Sequence, residues 1–152
     1  MEEKQKNDSE SEIPLVRFMI VSVLDEQFAL LSSDILEIFV DAVVYDLPFV
    51  PPYIEGVINV HGNPYTALNP LAFFFNRDEN VKGAKFLIFR HNAHFALHIS
   101  TAETFIEIPE SDFGKNGFFA ENGKNETIKI DEKNIKIINP LHICEKLLFD
   151  LN

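Results

Sequence analysis

Three of the five histidines lie close together at His91, His94 and His98, and this cluster is the first candidate for metal chemistry. If residues 84–91 and 94–99 pair as a hairpin, His91 faces His94 and His98 shares their face. However, His94 and His98 are then about 13 Å apart, whereas the ligands of one ion lie about 2 Å from it. We therefore predict histidines in water at a hairpin tip and no metal site.

The residues that carry catalysis in other proteins are not arranged for it in this sequence. Cys144 lies two residues from His142, so on a helix their side chains point to different faces and cannot act as a nucleophile and its base. The glycine-containing residues 113–119 lack the Gly-Lys-Ser/Thr ending of a phosphate-binding loop. We expect neither an enzyme nor a bound cofactor, and we expect Cys144 to be a core residue.

The charge of the chain limits its partners. The 152 residues carry a formal net charge of −11, which repels nucleic acids and anionic membrane surfaces. No apolar run approaches the roughly 20 residues of a membrane-spanning helix, and a single cysteine allows no internal disulfide. Residues 1–12 contain five acids and are predicted to be a disordered tail. These features predict a soluble, cytoplasmic protein.

Short apolar segments separated by turn residues predict a protein made mostly of β-strands. Ser32 or Ser33 followed by Asp34 is typical of a helix start, so residues 32–39 are predicted to be a short helix. Residues 110–126 are predicted to be a loop. The predicted strands cover residues 15–24, 27–31, 43–47, 57–60, 63–69, 84–91, 94–99, 103–108, 127–131 and 135–139.

Two hairpins have a predicted register. The predicted pairs are Val23 with Phe28 in the first hairpin and Phe86 with Ile99 in a later one. The second of these registers places Phe86 on the same face as Leu97. Both faces of that hairpin are apolar, so each is expected to be covered.

The tripeptide Asn-Pro-Leu occurs twice, at residues 69–71 and 139–141, each time after an apolar strand. Asn suits the N-cap and Pro the first position of a helix, so helices are predicted to begin at Pro70 and Pro140. The second helix has a predicted apolar stripe of Leu141, Cys144, Leu147, Leu148 and Leu151. Two similar halves, each made of short strands closed by a helix, indicate a pair of small β-barrels.

Two stretches of the sequence carry a family resemblance. FALLSSDILEIF (residues 28–39) and PPYIEGVINVHGNPYTALNPL (residues 51–71) resemble the CheW-like domains, which are adaptors of bacterial chemotaxis arrays. The family pattern has V-x-E-I in the first stretch and P-x-x-P-x-x-x-x-G-V-I-N-L-R-G in the second. The ending KIINPLHICEKLL is similar to the family's last strand and terminal helix, and the resemblance covers about residues 15–150.

The resemblance implies a fold of two intertwined, SH3-like five-stranded β-barrels with short helices and a C-terminal helix. Residues 13–152 would form this CheW-like domain as two interleaved, pseudo-symmetric barrel subdomains. It also implies a scaffold without catalysis, cofactor or metal. Such adaptors couple the cytoplasmic tips of chemoreceptors to the regulatory CheW-like domain of a histidine kinase in two-component signal transduction.

The same resemblance implies a partner-binding surface. Ile35 and Glu37 match the V-x-E-I segment, and Asn59 and His61 match the central motif. His61 stands where the family has Arg, and a mostly neutral imidazole cannot replace the five donors and permanent charge of a guanidinium. We therefore expect coupling to the receptor or kinase to be weakened, retuned or directed to a divergent partner.

Several alternatives stay open on the sequence. Ile35 is either a core residue or an exposed contact, and Glu37 is either a solvated charge or a contact. The whole chain could be an adaptor for a pathway other than motility. It could also be a small β-barrel that binds an apolar ligand among its Phe-rich segments, which requires a cavity of about 300 Å³ or more.

Overall fold

The computed structural model describes residues 13–112 and 127–151. The predicted tail (residues 1–12) lies outside the described residues, as does most of the predicted loop (residues 113–126). The strands are β1 (Leu15–Val23), β2 (Glu26–Leu31), β3 (Ile35–Phe39), β4 (Ile54–Val60), β5 (Asn63–Leu68), β6 (Lys85–Phe89), β7 (Phe95–Ile99), β8 (Thr101–Pro109), β9 (Thr127–Ile130) and β10 (Lys133–Ile137). The α-helices are α1 (Pro70–Phe75) and α2 (Pro140–Leu151).

The strands form two five-stranded sheets, which confirms the prediction of a mostly β fold. The first sheet has the order β8-β1-β2-β10-β9, and the second has the order β3-β6-β7-β5-β4. Each sheet contains one parallel pair, β2 with β10 in the first and β5 with β7 in the second. In both sheets, the strand that leads into an Asn-Pro-Leu helix belongs to this parallel pair.

The apolar side chains form one shared core and two local ones. The shared core joins β1 and β2 of the first sheet to β6 and β7 of the second, and α2 contributes Ile143 and Leu147 to it. A second cluster lies within the second sheet around Ile58 and Phe86. A third lies within the first sheet around Phe18. The shared core therefore fixes the position of the second sheet, which carries the candidate site.

The predicted helix over residues 32–39 is wrong. Ser32–Asp34 form one 3-10 turn, and the chain then continues as β3, which pairs with β6. β3 contains two isoleucines and a phenylalanine, residue types that favour the pleated, half-buried surface of a strand. An isolated helix of this length would also gain too few hydrogen bonds to offset its nucleation cost.

The predicted strand over residues 43–47 is reduced to one bridge. Tyr45 exchanges two backbone hydrogen bonds with Val57 of β4, with N–O distances of 2.8 Å each. Asp41 has a left-handed backbone before this segment, and Pro48, which has no N–H to donate, follows it. The segment therefore lies along the edge of the second sheet without continuous pairing.

Both predicted registers are wrong, with different consequences. The first hairpin pairs Val23 with Glu26, a shift of two residues that leaves each side chain on its predicted face. The later hairpin pairs Lys85 with Ile99, a shift of one residue that moves Phe86 to the face opposite Leu97. A five-residue connection replaces the predicted two-residue turn there.

Both Asn-Pro-Leu helix starts are confirmed. The Asn69 side chain accepts hydrogen bonds from the backbone N–H groups of Leu71 and Ala72. The predicted stripe of α2 is wrong in part, because α2 buries the line of Pro140, Ile143 and Leu147. Consequently, three members of the predicted stripe are exposed, namely Leu141, Leu148 and Leu151.

Candidate protein-binding surface

The centre of the candidate surface is the turn between β4 and β5. Val60 pairs with Asn63, so His61 and Gly62 form a two-residue turn, with φ values of 53° and 88°. Such turns need a left-handed backbone at both central positions, which glycine adopts freely and histidine more readily than most residues. The Asn59 side chain accepts a hydrogen bond of 2.8 Å from the Gly62 N–H. Asn59 therefore stabilises the turn that presents His61.

The structure brings Glu37 and His61 together, although they lie on different elements. The His61 Nε2 is 3.0 Å and 3.2 Å from the two carboxylate oxygens of Glu37 on β3. The edge of the His61 ring also faces Phe39, with ring centroids 5.7 Å apart. The short distances require a proton on Nε2, and the pair becomes a full ion pair when Nδ1 is protonated too. Since His61 is exposed, such a pair stabilises the fold by only about 0 to 1 kcal/mol.

Unlike the His61 side chain, the Ile35 side chain is buried. Only 9% of its surface is accessible, and it packs in the shared core. Leu36, the next residue, is 43% exposed and was missed because a helix was predicted here. A register irregularity between Ile35 and Glu37 lets β3 bury Ile35 while Glu37 reaches the β4–β5 turn. The structure thus makes Ile35 a core residue and leaves Leu36 beside Glu37 on the surface.

The three clustered histidines have different environments. His94 is exposed and stacks on Tyr65, and the His91 ring lies 5.3 Å from that of Phe95. Within residues 13–112 and 127–151, no group of three or more His, Cys, Asp or Glu side chains is placed to hold a metal ion. The prediction of water-exposed histidines is wrong for His98, which is buried.

His98 belongs to a partly buried polar pair that the sequence did not reveal. Its Nδ1 lies 2.8 Å from a carboxylate oxygen of Glu55, and its Nε2 lies 2.8 Å from the carbonyl oxygen of Gly83. The ring also stacks on Phe86, with centroids 4.3 Å apart. The two ring nitrogens thus lie within hydrogen-bonding distance of two different elements, the Glu55 carboxylate on β4 and the backbone before β6. The signal was hidden because the predicted register placed His98 on the wrong face.

Two clefts lie beside Tyr53, away from the β4–β5 turn. Their volumes are about 360 Å³ and about 480 Å³, and both are lined by Pro52, Tyr53, Ala72 and Asn76. The interiors of the two sheets are filled by the local core clusters, so these clefts lie outside the sheets and not within a barrel.

At the second cleft, the Tyr53 hydroxyl donates a 2.5 Å hydrogen bond to Asp150 of α2. Lys146 lies 3.2 Å from the same carboxylate oxygen. The Tyr53 hydrogen bond, aided by Lys146, lowers the pKa of Asp150 below its usual value. Burial and the Asp150 carboxylate raise the pKa of Tyr53, so its hydroxyl keeps its proton. We call this contact between Tyr53 and Asp150 the latch. In it, a tyrosine hydroxyl that keeps its proton donates to a carboxylate.

Two five-stranded sheets that share a core, with a polar hairpin end exposed beside β3, define a class of small two-barrel β-proteins. The model of the CheW-like domain family matches residues 17–147, so this chain belongs to the CheW-like domain family. The resemblance seen in the sequence is thereby confirmed. Members of this family are non-catalytic scaffold proteins, and the family supports a scaffold or adaptor role in chemotaxis.

Two known proteins are similar to this chain. A chemotaxis protein CheW of Helicobacter pylori (strain ATCC 700392 / 26695) is 26% identical over 148 residues, which cover 96% of this chain and 88% of that protein. The crystal structure of the scaffolding protein TtCheW from Thermoanaerobacter tengcongensis has a TM-score of 0.67 and 20% identity, and it covers 85% of this chain and 87% of that one. The structural match confirms the predicted pair of SH3-like barrels. In the described parts of the chain, no helix is long and apolar enough to cross a membrane.

Proposed function

We propose that this chain is a non-catalytic adaptor that joins the tips of chemoreceptors to the regulatory domain of a chemotaxis histidine kinase. The observation that carries the proposal is the Glu37–His61 pair, exposed at a hairpin end within a CheW-like fold. A carboxylate and an imidazole on a rigid turn can donate and accept hydrogen bonds to another polypeptide. Leu36 adds an apolar contact beside them.

His61 stands where the family has Arg, and this difference changes the charge that the surface presents to a partner. Arg would keep a permanent charge next to Glu37, whereas His carries a charge only when both ring nitrogens are protonated. With a neutral ring, the surface presents a net negative carboxylate to its partner. With a protonated ring, it presents a neutral pair. The adaptor would therefore favour a partner with a cationic or donor-rich contact opposite Glu37.

Binding measurements with the purified chain test this proposal. A kinase regulatory domain and a two-helix receptor tip from the same bacterium serve as ligands, and titration calorimetry measures each Kd. His61→Asn keeps a residue that tolerates the left-handed turn but removes the imidazole. We expect His61→Asn to weaken binding of at least one ligand about tenfold, which corresponds to about 1.4 kcal/mol.

His94→Asn is the matched control, because His94 is also an exposed histidine with a left-handed backbone beside a strand. It should change neither Kd by more than about twofold, since a surface change away from a contact has little effect. If the unmodified chain binds neither ligand at about 100 μM, a typical upper concentration for such weak contacts, the adaptor proposal is rejected.

The variant His61→Arg tests whether the chain is instead a divergent adaptor for another pathway. If the lost Arg limits coupling, restoring it raises kinase activation in a reconstituted array of receptor, kinase and adaptor. No gain would argue that the missing Arg is not what limits coupling.

A second candidate function rests on the clefts beside Tyr53. Their volumes of about 360 Å³ and about 480 Å³ exceed what a small ligand needs. The larger cleft, with its aromatic side chains, one Lys and one Asp, would suit a small, partly apolar molecule. Soaking crystals in a fragment library would test this idea, and the absence of any ordered fragment at Tyr53 would reject it.

A further inference from the structure

The chain between β3 and β4 exposes a row of apolar side chains. Within residues 42–49, Ala42 is buried and Val44 is half-buried. The residues between and after them face outwards. They form the apolar strip, defined as Val43, Tyr45, Leu47 and Phe49. An extended segment on a sheet edge normally turns polar residues to water, so four outward apolar residues indicate a contact surface.

The apolar strip is held firmly against the sheet. Tyr45 forms its two-bond bridge with Val57, and the Ala42 N–H donates a 3.0 Å hydrogen bond to the carbonyl oxygen of Ala84. Gly56 makes this close approach possible, because a Cβ there would lie 2.2 Å from the Tyr45 carbonyl oxygen. Since Tyr45 runs antiparallel to β4, the strip extends from the His61 end of β4 towards Pro51. It is therefore continuous with the surface around Glu37 and His61.

Phe49 is the most unusual member of the apolar strip. It is fully exposed at 103%, and its backbone is left-handed with a φ of 59°. A bulky residue rarely adopts this conformation, because its Cβ crowds the backbone. Among the described residues, its ring obtains no burial in return. Pro48 precedes it and Pro51 follows shortly after, which stiffens the loop. A strained, rigid position that displays an aromatic ring suits an anchor for a partner.

The charge around the apolar strip selects the kind of partner. Residues 36–49 contain Glu37, Asp41 and Asp46 and no Lys or Arg. A second copy of this chain would bring another net charge of −11 to the contact, so self-association is disfavoured. A partner with Lys or Arg around an apolar pocket complements both the carboxylates and the ring.

We propose that the apolar strip docks a folded partner domain by inserting Phe49 into an apolar pocket bordered by Lys or Arg. This inference rests on the proposed function for the choice of partner. The proposed function names two partners. A two-helix receptor tip presents convex ridges, whereas a kinase regulatory domain made of two packed barrels offers pockets where the barrels meet. The occupant of the strip is therefore the kinase regulatory domain.

The test compares Phe49→Asn with Phe149→Asn. Asn tolerates the left-handed backbone, so Phe49→Asn should leave the melting temperature unchanged or raise it. We expect it to weaken binding of the kinase regulatory domain at least tenfold and to leave receptor-tip binding within twofold. Phe149 on α2 is 83% exposed and supplies the matched control, whose Kd values should stay within twofold. The double variant Asp41→Asn/Asp46→Asn should bind the kinase domain with a weaker dependence on NaCl.

The outcomes distinguish this inference from the proposed function. If the unmodified chain binds neither partner, the proposed function fails and the inference falls with it. If the kinase domain binds but Phe49→Asn has no effect on its Kd, the inference alone is overturned. It is also overturned if Phe49→Asn weakens only receptor-tip binding, or if it abolishes a dimer of this chain seen by sedimentation.

Discussion

Gly56 and Gly62 both have backbones that favour glycine, but for different reasons. Gly62 completes the β4–β5 turn with a φ of 88°, and a Cβ there would meet no atom of the described residues within 4 Å. Gly56 has a φ of 149°, and a Cβ there would collide with the Tyr45 carbonyl oxygen at 2.2 Å and with Val44. One glycine is thus required by conformation alone, and the other by conformation and close contact.

Gly56→Ala and Gly62→Ala are predicted to lower the free energy of unfolding by different amounts, because only Gly56 has this close contact. Gly62→Ala should lower the free energy of unfolding by about 1 kcal/mol, the usual cost of a left-handed alanine. Gly56→Ala should lower it by about 3 kcal/mol, because displacing the Tyr45 segment adds an overpacking cost. Urea denaturation measures both values. Equal losses for the two variants would contradict the contact seen between Gly56 and Tyr45.

At the scale of single residues, the sequence predicted part of the site. Glu37 and His61 were found through motifs, and the structure places them 3.0 Å apart. Their contact could not be predicted, because it depends on how β3 and the β4–β5 turn meet in space. The burial of His98 was missed for a simpler reason. A one-residue error in register reverses the face of every side chain in a strand.

At the scale of elements, local signals worked where the backbone needs a specific residue. Asn69 and Asn139 each accept a hydrogen bond from the N–H of the leucine two residues later, as the Asn-Pro-Leu pattern predicted. They failed for β3, where Ser32 and Asp34 imitate a helix start. Pairing with β6 decides the conformation there, and no local pattern contains that information.

The latch between Tyr53 and α2 predicts a dependence of stability on pH. The pKa of Asp150 is lowered in the folded chain, chiefly by the Tyr53 hydroxyl. The folded state therefore binds fewer protons than the unfolded state near and below pH 4, the usual pKa of Asp. The stability that the latch contributes is present above pH 4 and is lost as the pH falls through the lowered pKa.

Tyr53→Phe removes the donor of the latch and should show this dependence directly. We expect the variant to unfold at a lower urea concentration than the unmodified chain at pH 6. The difference should shrink below pH 4 as Asp150 becomes protonated in both proteins. Tyr65→Phe is a suitable control, because Tyr65 is also a buried tyrosine and lies in the second sheet, away from α2. A difference that stays constant down to pH 2 would rule out Asp150 as the partner that matters.

At the scale of the whole molecule, Arg77 links the two halves. It follows α1 and donates hydrogen bonds of 3.0 Å to Glu26 and 2.9 Å to Asp25, at the turn between β1 and β2. The Arg77 hydrogen bond lowers the pKa of Asp25, and the two carboxylates Asp25 and Glu79 raise the pKa of Arg77. This cluster adds a polar clamp to the apolar core that the two sheets share.

Arg77→Met should lower the stability of the chain, and the loss should shrink between about 0.05 M and about 0.5 M NaCl, because salt screens exposed charges. Arg17→Met is the matched control. It removes the same charge, but Arg17 lies over the Phe105 ring within the first sheet. Urea midpoints at both salt concentrations provide the measurement. A loss for Arg77→Met that does not change with salt would assign its role to packing.

The long-range pairings lie beyond what this sequence could show. The parallel pair that joins β2 to β10 matches Phe28 with Lys136, so most of the chain separates the partners. Short strands with turns between them predicted two barrels, but not which strands close each one. Only the family resemblance indicated that the barrels interleave.

The separation of β2 from β10 in the chain affects the order in which the two sheets can form during synthesis. The second sheet is built from β3 to β7, which are continuous in the chain and complete at Ile99. The first sheet stays open until β10 has been synthesised. At about 5 to 20 residues per second, a ribosome takes roughly 2 to 8 s to extend the nascent chain from Ile99 to Ile137, the end of β10. During that time all strands of the second sheet are present in the nascent chain, whereas the edge of β2 still lacks its partner β10, and we expect this unpaired edge to be the point most exposed to wrong pairing with another chain.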